Sequence, residues 1–200
     1  MNKKKPGVKT FSEREIIDII LQMKENIPRL LVTLDGPCAT GKTTLAERIA
    51  KTVQAFVLHT DDFVIPHAQK TPERLAVPGG NCDAERLRDE VLIPWKTGKA
   101  ARYCRYDFMN DRMRPEETLP EACRILILEG SYCNLPVIRA YADARLFLTA
   151  ECETRLRRLQ QRESPESLQG FFKRWIPLED AYFTAYDLPD EGCMILRSEA

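Results

Sequence analysis

Gly36-Pro37-Cys38-Ala39-Thr40-Gly41-Lys42-Thr43 fits the phosphate-binding pattern G-x-x-x-x-G-K-[ST], and its flanks are those the pattern requires. Arg29-Leu30-Leu31-Val32-Thr33-Leu34, ahead of it, is a short apolar run bounded by Pro28 and Gly36, as in a buried parallel strand. Behind it, Leu45, Ile49, Ala50 and Val53 recur at helical spacing, so the loop opens a helix. Small, permissive residues let successive N–H groups turn inward around a phosphate, and the helix N-terminus adds partial positive charge. The stretch from Gly36 to Thr44 is therefore expected to bind nucleotide phosphates. Lys42 can reach the β- and γ-phosphates, and the Thr43 hydroxyl can ligate Mg²⁺. The competing reading is a glycine-rich turn between core elements.

Working outward, Phe56-Val57-Leu58-His59 reads as a second strand and Arg124 to Gly130 as a third, its continuous apolar run typical of a sheet covered on both faces. Ala144 to Thr149 is a fourth strand, and Cys193 to Leu196 a candidate edge strand. Between them, helical patterns cover 84–92, 153–162 and 168–186, the last interrupted at Pro177. Ser12 to Glu15 forms a capping box ahead of an apolar helix face that includes Ile16 and Ile20. Residues 94–114 read as irregular, basic and aromatic. Strands alternating with helices imply a mainly parallel α/β sheet with right-handed crossovers. The expected domain plan is a disordered 1–10 followed by a single domain over 11–200.

Lys plus Arg equals Asp plus Glu at 30 each, so the chain has no net charge with which to wrap nucleic acid. The seven cysteines are odd in number and contain no C-x-x-C, which excludes a disulfide framework or zinc site by pattern and points to a reducing, cytoplasmic setting. No window approaches the roughly 18 apolar residues of a membrane span, so no membrane partner is expected. The expected partner is a small molecule, with assembly of copies left open.

Ligands in such sheets bind beyond the carboxyl ends of the strands. Asp61 and Asp62 follow the second strand and Glu129 ends the third. A carboxylate there can accept a proton from a substrate hydroxyl, or can simply cap a turn. Glu129 occupies the position from which a carboxylate organises Mg²⁺ and its waters. Arg155, Arg158 and Arg162, spaced i, i+3, i+7, share one helix face. They can close as a lid, about 151–175, over a transferring phosphoryl group, or form a solvated face paired with Glu151, Glu153 and Glu163.

The chain from Leu34 to Ala46 resembles the opening of the uridine kinase-like small-molecule kinases, a group that includes nicotinamide riboside kinases and, more distantly, pantothenate kinase and phosphoribulokinase. His59-Thr60-Asp61-Asp62-Phe63, Asn81-Cys82-Asp83, Tyr106-Asp107-Phe108, Ile127-Leu128-Glu129-Gly130 and Glu153-Thr154-Arg155-Leu156-Arg157-Arg158 are similar to that family's further motifs, in order, over about residues 30–186. The resemblance implies a P-loop three-layer α/β sandwich with a helical lid, binding ATP and Mg²⁺. It implies Lys42, Asp61 and Arg158 as catalytic, with Asp61 the base. Arg155 and Arg162 join the loop on ATP, Thr43 and Glu129 hold the metal, and Asp61, Phe63, Asp83, Arg105 and Tyr106 face the acceptor. Two positions depart from the family: Asp111 stands where uridine–cytidine kinases carry a base-reading His, and Cys82 replaces an aromatic.

The expected activity is ATP-dependent phosphorylation of a hydroxyl, with the ribose 5′-hydroxyl of a nucleoside first. The alternatives are nicotinamide riboside, pantothenate or a sugar as acceptor, or a nucleotide-binding regulatory module without activity. A GTPase switch is excluded by the lack of D-x-x-G and N-K-x-D elements.

Overall fold

The computed structural model describes residues 9–198, so residues 1–8 of the expected disordered stretch 1–10 lie outside it. Residues 9 and 10 are described, and Thr10 forms a parallel bridge with Ile195. Seven strands run in chain order: β1 (Leu30–Asp35), β2 (Phe56–His59), β3 (Arg102–Asp107), β4 (Arg112–Thr118), β5 (Ile125–Glu129), β6 (Ala144–Thr149) and β7 (Cys193–Arg197). Five form one parallel sheet in the order β2-β5-β1-β6-β7.

Alternation along β1 explains why its run is apolar throughout. Leu30, Val32 and Leu34 pack on one face with Ile16 and Ile20 of the helix Glu13–Asn26 and with Leu45 and Ile49 of the helix Lys42–Val53. Leu31 packs on the other face with Leu87, Trp95 and Tyr182. Helical layers therefore cover both sides, giving the three-layer α/β sandwich. The Ser12–Glu15 capping box is formed in full.

Two expectations are corrected. The region 94–114 is not irregular: β3 and β4 pair as an antiparallel hairpin with a bulge between Cys104 and Tyr106. Pro177 does not interrupt its helix. The backbone stays helical from Pro165 to Ala185, and a wide π-turn at Phe171–Trp175 lies directly ahead of Pro177, so the helix absorbs the hydrogen bond that the proline cannot make without breaking there. Among the described residues, no helix is long and apolar enough to cross a membrane.

Candidate active site

Sheet register assembles the site. Glu129 lies opposite Leu34 of β1 on one side and His59 of β2 on the other. The phosphate loop that follows β1 and the Thr60–Phe63 turn that follows β2 are thereby brought to either side of one carboxylate. Glycines allow the close approaches. A Cβ on Gly36, at φ +140°, would sit 2.2 Å from the Leu148 carbonyl oxygen, and one on Gly130, at φ +127°, would sit 2.1 Å from Thr60 Oγ1.

The loop is held from below by Asp35, which is fully buried. Its carboxylate accepts the Gly36 N–H at 2.7 Å, the Tyr182 hydroxyl at 2.7 Å and the Asn134 N–H at 3.0 Å. Burial raises its pKa to about 6, against the pull of these donors. Lys42 Nζ donates to the carbonyls of Gly36 at 2.7 Å and Pro37 at 3.0 Å. It lies almost wholly inside the loop, at 9% exposure, which makes it a brace as well as a charge.

Thr43 Oγ1 donates to Glu129 Oε1 at 3.1 Å, and His59 Nδ1 lies 2.5 Å from the same oxygen. The bond to Glu129 raises the His59 pKa. Among the described residues, no group of three or more His, Cys, Asp or Glu side chains could enclose a metal ion. One hydroxyl and one carboxylate fit Mg²⁺ all the same, because that ion takes its remaining oxygens from phosphates and water.

A cavity of about 410 Å³ opens beyond the strand ends. It is lined by Lys42, Thr43, Asp61 and Glu129, with Phe108, Phe171 and Trp175 as an aromatic wall. Asp61 is accessible from the cleft yet crowded by protein. That crowding, then the Glu129 charge, raises its pKa. Asp62 turns toward Arg105, whose Nε is 3.7 Å away. A second cavity of about 640 Å³ lies on the far side of the loop helix, between Gly41, Thr44, Arg48, Arg158 and Arg197.

The helix Cys152–Arg162 leans on the loop: Arg155 Nε donates to the Cys38 carbonyl at 2.9 Å and Arg158 Nη1 to that of Thr40 at 3.0 Å. Arg162 lines the same cavity as Asp61 and Glu129 and pairs with Glu163 at 2.7 Å.

Four expected acceptor-side residues lie off the cavity wall. Phe63 is fully buried, its ring 5.9 Å from that of Tyr103 and under the Arg86 guanidinium. Asp83 caps the helix that begins at Ala84 and pairs with Arg86 at 3.2 Å. Arg105 bonds Glu117 at 2.9 Å. The Tyr106 hydroxyl bonds Asp111, which also accepts the His67 N–H at 3.1 Å, so the residue at the family's His position ties the hairpin to the His67–Gln69 turn. In their place the cavity holds Asn81, Ser131, Tyr132 and Glu179. Of these, only Asn81 stood within a motif. Glu179 lies 141 residues from the loop amide it bonds, beyond any local pattern.

No family model matches the chain. It is 32% identical to a cytidylate kinase of Nitratidesulfovibrio vulgaris over 114 residues, 54% of this chain and 44% of that protein, so the match spans less than half the relative's length. A cytidylate kinase of Halalkalibacterium halodurans is 22% identical over 169 residues, 73% of this chain and 74% of the other. Among solved structures, one described as a possible uridine kinase from Bacillus stearothermophilus superposes with a TM-score of 0.68 at 21% identity, covering 92% of this chain and 98% of that one. A candidate fructose transport system kinase from Silicibacter sp. TM1040 superposes with a TM-score of 0.71 at 20% identity, covering 87% and 95%. The chain has the fold of the uridine kinase-like P-loop kinases.

Proposed function

We propose that the chain is an ATP-dependent phosphotransferase acting on an alcohol hydroxyl of a small molecule, with the ribose 5′-hydroxyl of a nucleoside as the favoured acceptor. The observation that carries this reading is Asp61, a carboxylate of raised pKa that shares one cleft with Lys42 and with the Thr43–Glu129 pair. A hydroxyl must lose a proton as it is phosphorylated, and a positioned carboxylate accepts it.

In this reading the loop amides and Lys42 cradle the phosphates, and Thr43 and Glu129 hold Mg²⁺. Bound there, Mg²⁺ would supply positive charge to offset that of the phosphates. Asp61 orients the hydroxyl toward the γ-phosphorus and takes its proton. Arg158, with Arg155, moves from loop carbonyls, or Arg162 from Glu163, to the oxygens of the transferring group. The cavity on the far side of the loop offers room for the nucleotide's base.

A phosphate acceptor, as the cytidylate kinases' name implies for those proteins, would need no base. It would also bring negative charge beside Asp61, Glu129 and Glu179. The test is ATP consumption with a panel of nucleosides, nicotinamide riboside, pantothenate, fructose and cytidine monophosphate. Turnover of a nucleoside and not of the monophosphate supports the reading, and the reverse order overturns it.

A further inference from the structure

We propose that His59 is a positioning residue for the cation: it holds the Glu129 carboxylate still, so that Mg²⁺ meets a fixed oxygen. The inference rests on the reading above in which Thr43 and Glu129 hold the metal. Strand pairing brings the two side chains together. His59 ends β2 directly across the parallel ladder from Glu129, the last residue of β5. His59 Nδ1 lies 2.5 Å from Glu129 Oε1. A carboxylate can only accept, so the proton of the ring stands on Nδ1 and the imidazole is the donor.

Thr43 Oγ1 donates to the same oxygen at 3.1 Å. Oε1 therefore takes two donors, while no donor among the described residues reaches Oε2. The two come from opposite sides of β5, one from the helix that follows β1 and the other from β2. Held from both sides, the carboxylate cannot swing, whereas the Thr43 bond alone would leave it a pivot. Glu129 lines the cavity with Lys42 and Asp61, so this fixed group stands where the phosphates are to lie.

The two donors have different parts to play. A hydroxyl can keep its hydrogen on Glu129 and give an oxygen lone pair to a cation, so Thr43 can do both at once. A ring nitrogen that carries a proton has no lone pair to give, so His59 acts on the metal only through Glu129. Partners of this kind orient a ligating group and are worth about 10- to 100-fold in metal affinity. The Glu129 side chain is 6% exposed, which shields the bond from competing water. The His59 side chain is 33% exposed and outside both core clusters, so the fold does not depend on it.

The experiment titrates Mn²⁺ into the protein with a non-hydrolysable ATP analogue and reads free Mn²⁺ by its electron paramagnetic resonance signal. The proteins are the wild type, His59→Leu, His59→Gln and His59→Asn. Asn places its Nδ2 donor as many bonds from the backbone as the histidine Nδ1, and Gln places its own one bond further out. His59→Leu and His59→Gln should bind Mn²⁺ about tenfold more weakly or worse. His59→Asn should restore most of the affinity, and all four should bind the analogue equally in the presence of a chelator. In turnover, His59→Leu should raise the apparent KM for Mg²⁺ and change kcat at saturating Mg²⁺ far less. Equal Mn²⁺ affinity in His59→Leu and the wild type overturns the proposal. Tighter binding in His59→Leu also overturns it, since His59 would then compete with the cation for Glu129. So does His59→Asn binding as weakly as His59→Leu, because the Nδ1 donor would not be what matters. If His59→Leu fails to fold, the contrast of His59→Gln with His59→Asn decides in the same way. A wild type that takes up no more Mn²⁺ than the analogue alone overturns the Thr43–Glu129 metal reading and the proposal with it, a failure visible before any variant is made.

Discussion

Glu179 Oε2 accepts the Cys38 N–H at 2.9 Å, placing a buried carboxylate on an amide of the phosphate loop. Its Oε1 takes the Ser131 hydroxyl at 2.5 Å, so the carboxylate bridges the loop to the residues that follow β5. A phosphate bound at this loop amide would have to share or displace this internal anion. Glu179→Gln keeps the shape and removes the charge. It is expected to tighten ATP binding roughly three- to tenfold, the scale of one hydrogen bond or charge contact. Calorimetric titration without acceptor reads this, and weaker binding would mean that the carboxylate helps to shape the loop for phosphate.

Lys42→Ala should abolish turnover and also cost stability, about 1–3 kcal/mol, because the Gly36 and Pro37 carbonyls lose their ammonium donor inside the loop. An exposed lysine at a helix start would leave the fold untouched on removal; this one is buried. Urea midpoints and kcat for the pair of proteins check both halves of the expectation.

Asp61→Asn should lower kcat by roughly 10²–10⁴ with ATP affinity nearly unchanged, the range for a positioned base. Asp62→Asn should cost far less, since Asp62 faces Arg105 and lies outside the cavity lining. The reverse order in a kinase assay would move the base to Asp62.

The lid segment 155–175 should slow its amide exchange when an ATP analogue and acceptor bind together. Arg155 and Arg158 already rest on the Cys38 and Thr40 carbonyls, but those bonds join charge to neutral oxygen. Phosphate oxygens make stronger partners. Unchanged exchange on adding both ligands would rule out closure.

What could be read from the sequence divides along physical lines. The phosphate loop, β1, β5 and the capping box are local patterns, each decided by a few adjacent residues, and they form as expected. The β3–β4 hairpin was hidden because β4 is almost wholly exposed and rich in Arg and Glu. It has no buried face to impose alternation, and cross-strand pairs such as Arg105–Glu117 stabilise it instead. The cavity wall was legible only in part. Phe63 stands next to the Asp pair, but the tight turn drives its ring into the core. Glu179 and Tyr182 reach the loop from the far end of the chain, a relation no spacing rule encodes.

Asp35 gives the last prediction, one of pH. In the unfolded chain its carboxyl titrates near the ordinary value of about 3.9, and in the folded protein near 6. Between these values the folded state holds a proton that the unfolded state has released. By linkage, the contribution of this group to stability falls as pH rises through that window. The full effect is of order 3 kcal/mol, taken from a shift of roughly two units. Asp35→Asn cannot ionise, so its stability should lack this slope, even though its amide nitrogen would face an N–H donor and lower stability at every pH. The wild type's advantage over Asp35→Asn, from urea unfolding at intervals between pH 4 and 7, should therefore shrink as pH rises. An advantage that stays constant or grows would show that Tyr182, Gly36 and Asn134 hold the carboxylate ionised throughout, and that the loop rests on a buried charge.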